Sequence, residues 1–166
     1  MVPKRPWPEL VLVLAASACG WLPSDKPTTP ATAQPNQPTD PLIHTWLVEE
    51  HVMVNGASIE EGDAIGFHGR TVVVSDHGYI SPWQGTCELA DRTRHPRQLS
   101  TIVSELEVEP TDRARISAYG LPDDITEYRL SCSDRGRPPP LFLYIGGGRA
   151  MTCFGGACYL MKPFDG

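Results

Sequence analysis

The chain of 166 residues has no apolar run long enough to cross a membrane as a helix. The best candidate, Leu10–Ala18, spans nine residues and is broken by Ser17. As a helix it would rise only about 14 Å, against a hydrocarbon core of roughly 30 Å. Positive charge is also scarce. Fourteen Lys and Arg face twenty Asp and Glu, a formal net charge of −6, so attraction to a nucleic-acid backbone is not expected. The sequence lacks HExxH, G-x-S-x-G and C-x-x-C, and none of His44, His51, His68, His77 and His95 stands four residues from another. Zincin, α/β-hydrolase and thioredoxin-type chemistry therefore have no foothold. Ser75-Asp76-His77 places three triad residue types in a row, but a triad is assembled from separate segments. Gly146-Gly147-Gly148 is not followed by Lys and Ser or Thr, so it reads as a turn and not as a phosphate loop. Cys153-x4-Cys158 has no second Cys or His pair of matching spacing with which to hold zinc. The expectation is a protein that is not an enzyme, with no cofactor and no metal.

Turn formers, in contrast, are abundant. Seventeen Pro and fifteen Gly argue against a helical bundle and for a mostly β protein with a linker. Residues 1–18 begin with Lys4 and Arg5, continue through the short apolar run and end in small residues, the layout of a secretory signal peptide. Ala16-Ser17-Ala18-Cys19 resembles the lipobox of bacterial lipoproteins, with Ala16 where that family usually has Leu. The resemblance implies removal of residues 1–18 and lipid attachment at Cys19. Gly20, and not Asp, follows the Cys, which points to an outer-membrane anchor facing the periplasm. Residues 19–41 are then a tether. Six of the nineteen residues from Pro23 to Pro41 are Pro and almost none is apolar, so an extended, solvated chain reaching roughly 50 Å is expected.

Residues 42–166 hold the folded domain. Strand-like runs are expected at Ile43–Val54, Arg70–Ser75, Tyr79–Trp83, Gln98–Glu109, Ile125–Ser133, Leu141–Ile145, Arg149–Phe154 and Ala157–Lys162. Ser58-Ile59-Glu60-Glu61 has the form of a capping box and predicts one short helix. About eight short strands joined by tight turns predict a mainly β domain, a small antiparallel barrel carrying that helix.

Beyond Cys19 there are four cysteines, which in an exported chain implies two disulfides. If Gly155-Gly156 is a two-residue turn, Cys153 stands opposite Cys158 within bridging range, which leaves Cys87 to pair with Cys132. Glu105, Glu107 and Glu109 alternate, so on a strand they would project from one face as a possible contact for a cationic partner. Arg92, Arg94, His95 and Arg97 read as a basic loop, and Arg113 and Arg115 as residues near a turn. His44 and His51, seven residues apart, are expected on opposite faces of the first strand. Trp83, beside Pro82, is expected either to cover the Cys87–Cys132 bridge or to serve as a contact residue.

His44-Thr45-Trp46 resembles the G-x-W opening of lipocalins and other calycins, with His44 in the Gly position. Trp46, Asp63-Ala64, Phe67-His68-Gly69, Cys87, Cys132 and a last hairpin ending in Tyr159-Leu160 extend the likeness to small bacterial lipoproteins with a lipocalin-like barrel. The resemblance implies that Trp46 closes one end of the barrel under a basic residue late in the last strand, here Lys162. It also implies a cup for a small apolar ligand, unless side chains fill the interior. The functional expectation is a membrane-anchored periplasmic binding module for a protein partner, an inhibitor or immunity factor against a hydrolase. The alternative is a carrier of a small apolar ligand.

Overall fold

The computed structural model describes residues 40–133 and 138–165. The leader 1–18, Cys19 and the tether as far as residue 39 lie outside the described residues. Eight strands run in sequence order: β1 (Thr45–Met53), β2 (Thr71–Val74), β3 (Gly78–Ser81), β4 (Gly85–Gln98), β5 (Asp124–Cys132), β6 (Leu141–Gly146), β7 (Arg149–Phe154) and β8 (Ala157–Pro163). Each pairs antiparallel with the next, and β8 returns to β1, closing an up-and-down barrel. The expected fold class stands.

Three short helices are described where one was expected: α1 (Glu61–Ile65), α2 (Leu99–Glu105) and α3 (Pro110–Ala118). The first begins at Glu60 without a side-chain cap. Ser58 does not cap it. Its hydroxyl donates instead to Gly155 O, 3.0 Å away, so the β7–β8 turn competes successfully for that side chain. The span expected as a strand, Gln98–Glu109, is mostly α2. Leu99, Ile102 and Val103 are its buried residues, a spacing of three and four that makes one helical stripe. The β-branched Thr101, Ile102 and Val103 concealed this stripe. Conversely, Arg92, Arg94, His95 and Arg97, expected in a loop, lie in β4, the longest strand, held by pairing with β5.

Alternation along each strand separates two cores. Trp46, Val48, Val72, Tyr128, Leu143 and Met161 belong to the first, the barrel interior. Val52, Met151, Cys158 and Leu160 point outward and meet Leu99, Ile102, Val108 and Ile116 from the helical segment in the second. That is why Ala157–Met161 is buried at every position: one side faces the lumen and the other lies under α2 and α3. Each fully buried aliphatic side chain contributes roughly 1.5–3 kcal/mol.

A β-bulge between Val48 and Glu50 governs β1. It inserts one residue and reverses the alternation. His51 therefore falls on the lumen side with Trp46 and Val48, opposite Tyr159, while Val52 turns outward. The expected placement of His44 and His51 on opposite faces fails for this reason. The His44 ring lies 5.3 Å from that of Trp46.

Candidate functional site

Both expected disulfides are present. Cys153–Cys158 joins the two strands flanking the Gly155-Gly156 turn, and Cys87–Cys132 joins β4 to the end of β5 with Cα atoms 5.4 Å apart. Gly155 and Gly156 have φ of +64° and +87°, the left-handed geometry that a tight two-residue hairpin turn requires. The first bridge lies on the outer face of the barrel and the second on the lumen side, so one staple serves each core.

Trp46 is 1% exposed and donates through Nε1 to Leu42 O at 3.4 Å, plugging the barrel where β1 starts and β8 ends. Lys162 does not cover it. Lys162 stands opposite Leu47, one residue out of phase with Trp46, so the pleat sends its side chain to the outer surface. There its Nζ meets Glu49 Oε1 at 2.5 Å. Glu49 also accepts from Tyr119 Oη at 2.8 Å and lies 3.7 Å from Arg149, whose guanidinium sits 5.0 Å above the Tyr119 ring. The Lys162 hydrogen bond is the main cause holding the Glu49 carboxyl below its ordinary value, with Tyr119 and Arg149 assisting against partial burial.

Glu105, Glu107 and Glu109 are exposed but share no strand face. Glu105 ends α2, Glu107 has φ +54°, and Glu109 precedes Pro110 at the start of α3. Glu105 is engaged by Arg97, with Nη2 2.8 Å and 2.9 Å from its two oxygens. Arg115, expected near a turn, belongs to α3 and pairs with Asp112.

Trp83 lies in an aromatic cluster at one mouth of the barrel. It stacks on Tyr159 at 4.7 Å and on Phe154 at 6.1 Å, and Phe67 meets it edge-on at 5.6 Å. It is half-buried and helps close the lumen. Beside it, His51 Nδ1 and His68 Nε2 are 2.8 Å apart. Burial, helped by the neighbouring His68, lowers the pKa of His51 from 6.5, so its ring is neutral at pH 7. Burial pushes the Tyr159 hydroxyl up to about 12, so it does not serve as a base near neutrality. Among the described residues, neither histidine ring bonds to a hydroxyl or thiol. Nor do three or more His, Cys, Asp or Glu gather to hold a metal. No residue pattern marks the His51–His68 pair, because the bulge that aims His51 inward is invisible to a parity count.

The outer face of β2, β3 and β4 differs from the rest of the wall. No described helix lies on it. Val73, Ser75, His77, Ile80, Thr86 and Glu88 line a shallow apolar groove of about 280 Å³ there, and Ile80 is 51% exposed. The molecule is thus an eight-stranded up-and-down barrel with a packed lumen and one bare wall. No protein-family model, curated protein or solved structure matches the chain.

Proposed function

We propose that this chain is a lipocalin-like lipoprotein, anchored through Cys19 in the outer membrane and facing the periplasm, whose barrel is a non-enzymatic binding module for a protein partner. The partner class we infer is a hydrolase that the module inhibits or against which it gives immunity. The observation that carries this reading is the packed lumen. Trp46 and Leu42 fill one end, and Phe67, Trp83, Phe154 and Tyr159 fill the other. A carrier needs an apolar cavity of roughly 300 Å³ or more, whereas Trp46, Tyr79, Leu143, Tyr159 and Met161 are buried together in this lumen. Recognition is then left to the outer surface, where the bare wall of β2–β4 offers Val73 and Ile80. The two disulfides suit a domain working in an oxidising compartment, and the tether suits one that meets its partner away from the lipid.

The anchor is tested by labelled palmitate in the native host: incorporation is expected in the wild type and lost in Cys19→Ala. The module is tested by adding the full chain carrying Cys19→Ala to lysozymes and periplasmic proteases. Stoichiometric inhibition, weakened at least tenfold by Ile80→Glu, is the expected result. Inhibition of none of them, together with a small apolar molecule extracted from the purified protein, would return the barrel to a carrier role.

A further inference from the structure

The barrel is closed unevenly. β3 pairs with β4 only over Gly85–Glu88, whereas β5 pairs with β4 from Leu89 to Gln98. Beyond Leu89 the other edge of β4 meets no strand among the described residues. Its backbone polarity follows from the hydrogen bonds at its ends. Ser133 N donates to Glu88 O on the β5 side, and Leu89 N donates to His77 O on the β3 side. The bulge between Leu89 and Asp91 then inserts one residue and reverses the order. Past the bulge, Leu99 N donates to Asp123 O. The backbones of Thr93, His95 and Arg97 therefore turn toward β5, and those of Arg92, Arg94, Pro96 and Gln98 turn away from it. Pro96 fits this assignment, since proline occurs in sheets where the missing N–H would face outward.

Beside this edge lies a cleft of about 360 Å³ lined by Asp40, Arg92, Thr93, Arg94 and Tyr128. Arg92 reaches Asp40 at 3.4 Å, so the cleft sets two guanidinium groups against one carboxylate. The nearby Glu105 and Glu127 are engaged by Arg97, which belongs to the alternate set of side chains. In a chain of net charge −6, the lining of this cleft carries one more positive than negative charge, while Asp91 and Asp124 stand at the two ends of the segment.

We propose that the Arg92–Gln98 edge of β4 receives an extended segment of the partner protein as an added strand, with acidic residues at alternate positions facing Arg92 and Arg94. Main-chain bonds to Arg92 and Arg94 hold the segment, and the two arginines select its charge. Pro96, with no N–H to offer, ends the ladder. This assignment rests on the partner reading above and extends the partner's contact from the β2–β4 wall along β4, which belongs to both surfaces, to this edge.

Amide hydrogen exchange on the full chain tests it, with a capped octapeptide alternating glutamate with valine and threonine as the probe. In the free chain, Arg92 and Arg94 should exchange at least a hundredfold faster than Thr93, His95 and Arg97. The peptide should slow both at least tenfold, and a lysine version should leave them fast. Arg94→Glu should weaken the peptide at least tenfold, and Arg94→Pro should abolish its binding. If the proline variant unfolds, the glutamate variant decides alone. Protection of Arg92 and Arg94 already present in the dilute free chain overturns the proposal. So does protection that grows with protein concentration alone, which would assign the edge to a second copy. A hydrolase inhibited equally by wild type and Arg94→Glu overturns this edge and leaves the partner reading standing. Peptide seating on the edge with no hydrolase inhibited supports the edge and removes the hydrolase.

Discussion

The wall of β1, β6, β7 and β8 and the wall of β2, β3 and β4 belong to one barrel but solve different problems. The first is buried on both faces over its middle: Tyr159 and Met161 fill the lumen while Cys158 and Leu160 lie under α2 and α3. The second is buried on one face only. Tyr79 and Cys87 point inward, while Ile80 and Thr86 are exposed. A strand between two cores reads as an unbroken apolar run, whereas a strand with one wet face must alternate. Position within the barrel, and not strand identity, thus sets what each segment of sequence can tolerate. The covered wall is where stability is concentrated, and the bare wall is the surface left open to the proposed partner.

The sharpest way to break the comparison is to remove the staples. Loss of Cys87–Cys132, which are 45 residues apart, should cost about 4 kcal/mol on the loop-entropy model, and loss of Cys153–Cys158 about 2 kcal/mol. Denaturant midpoints of the paired Cys→Ser variants would show it, and equal losses would contradict the loop-length account. Next in size is a direct contrast between walls. Ile116→Ala, in the covered layer, should cost about 3 kcal/mol, and Ile80→Ala less than about 0.5 kcal/mol. Comparable losses at both positions would mean that something also covers the bare wall.

A smaller effect is expected at Glu49, where Lys162, Tyr119 and Arg149 converge on the outer surface. Glu49→Gln should cost about 0.5–1 kcal/mol, shrinking as salt is added. Because the Glu49 pKa is lowered on folding, its contribution is complete above its ordinary value of 4.5 and fades as the pH falls below that. The smallest effect concerns His51. Burial lowers its pKa, so the folded chain resists a proton that the unfolded chain accepts. Its contribution is whole above about pH 6.5 and declines as the pH falls further. The denaturant midpoint at pH 5 relative to pH 7.5 should drop further in the wild type than in His51→Asn. Identical drops would place His51 in water.

Much of this was legible in the residues. The Gly155-Gly156 turn put Cys153 opposite Cys158, and the other bridge followed by elimination. Trp46 announced itself as a buried plug. Three things were not legible. The bulge after Val48 leaves no mark in composition, so a parity count along β1 puts His51 on the wrong face. Leu99, Ile102 and Val103 had the helical spacing, but their β-branched neighbours suggested a strand and turned Glu105, Glu107 and Glu109 into a false stripe. Pro110 sits where proline opens helices, and that is the local mark of α3. Finally, the charged stretch from Asp91 to Gln98 has no apolar face of its own. It becomes a strand only because β5 supplies its hydrogen bonds.

What the sequence alone determined was the kind of barrel and its covalent bracing, since alternation, turn glycines and cysteine spacing are properties of neighbouring residues. What tertiary structure decided was which face each residue meets: the lumen for His51 and Trp83, the outer surface for Lys162, and an edge with no strand partner among the described residues for Arg92 and Arg94. Those outcomes depend on strand pairing between residues far apart in the chain, where one inserted residue reverses every side chain beyond it.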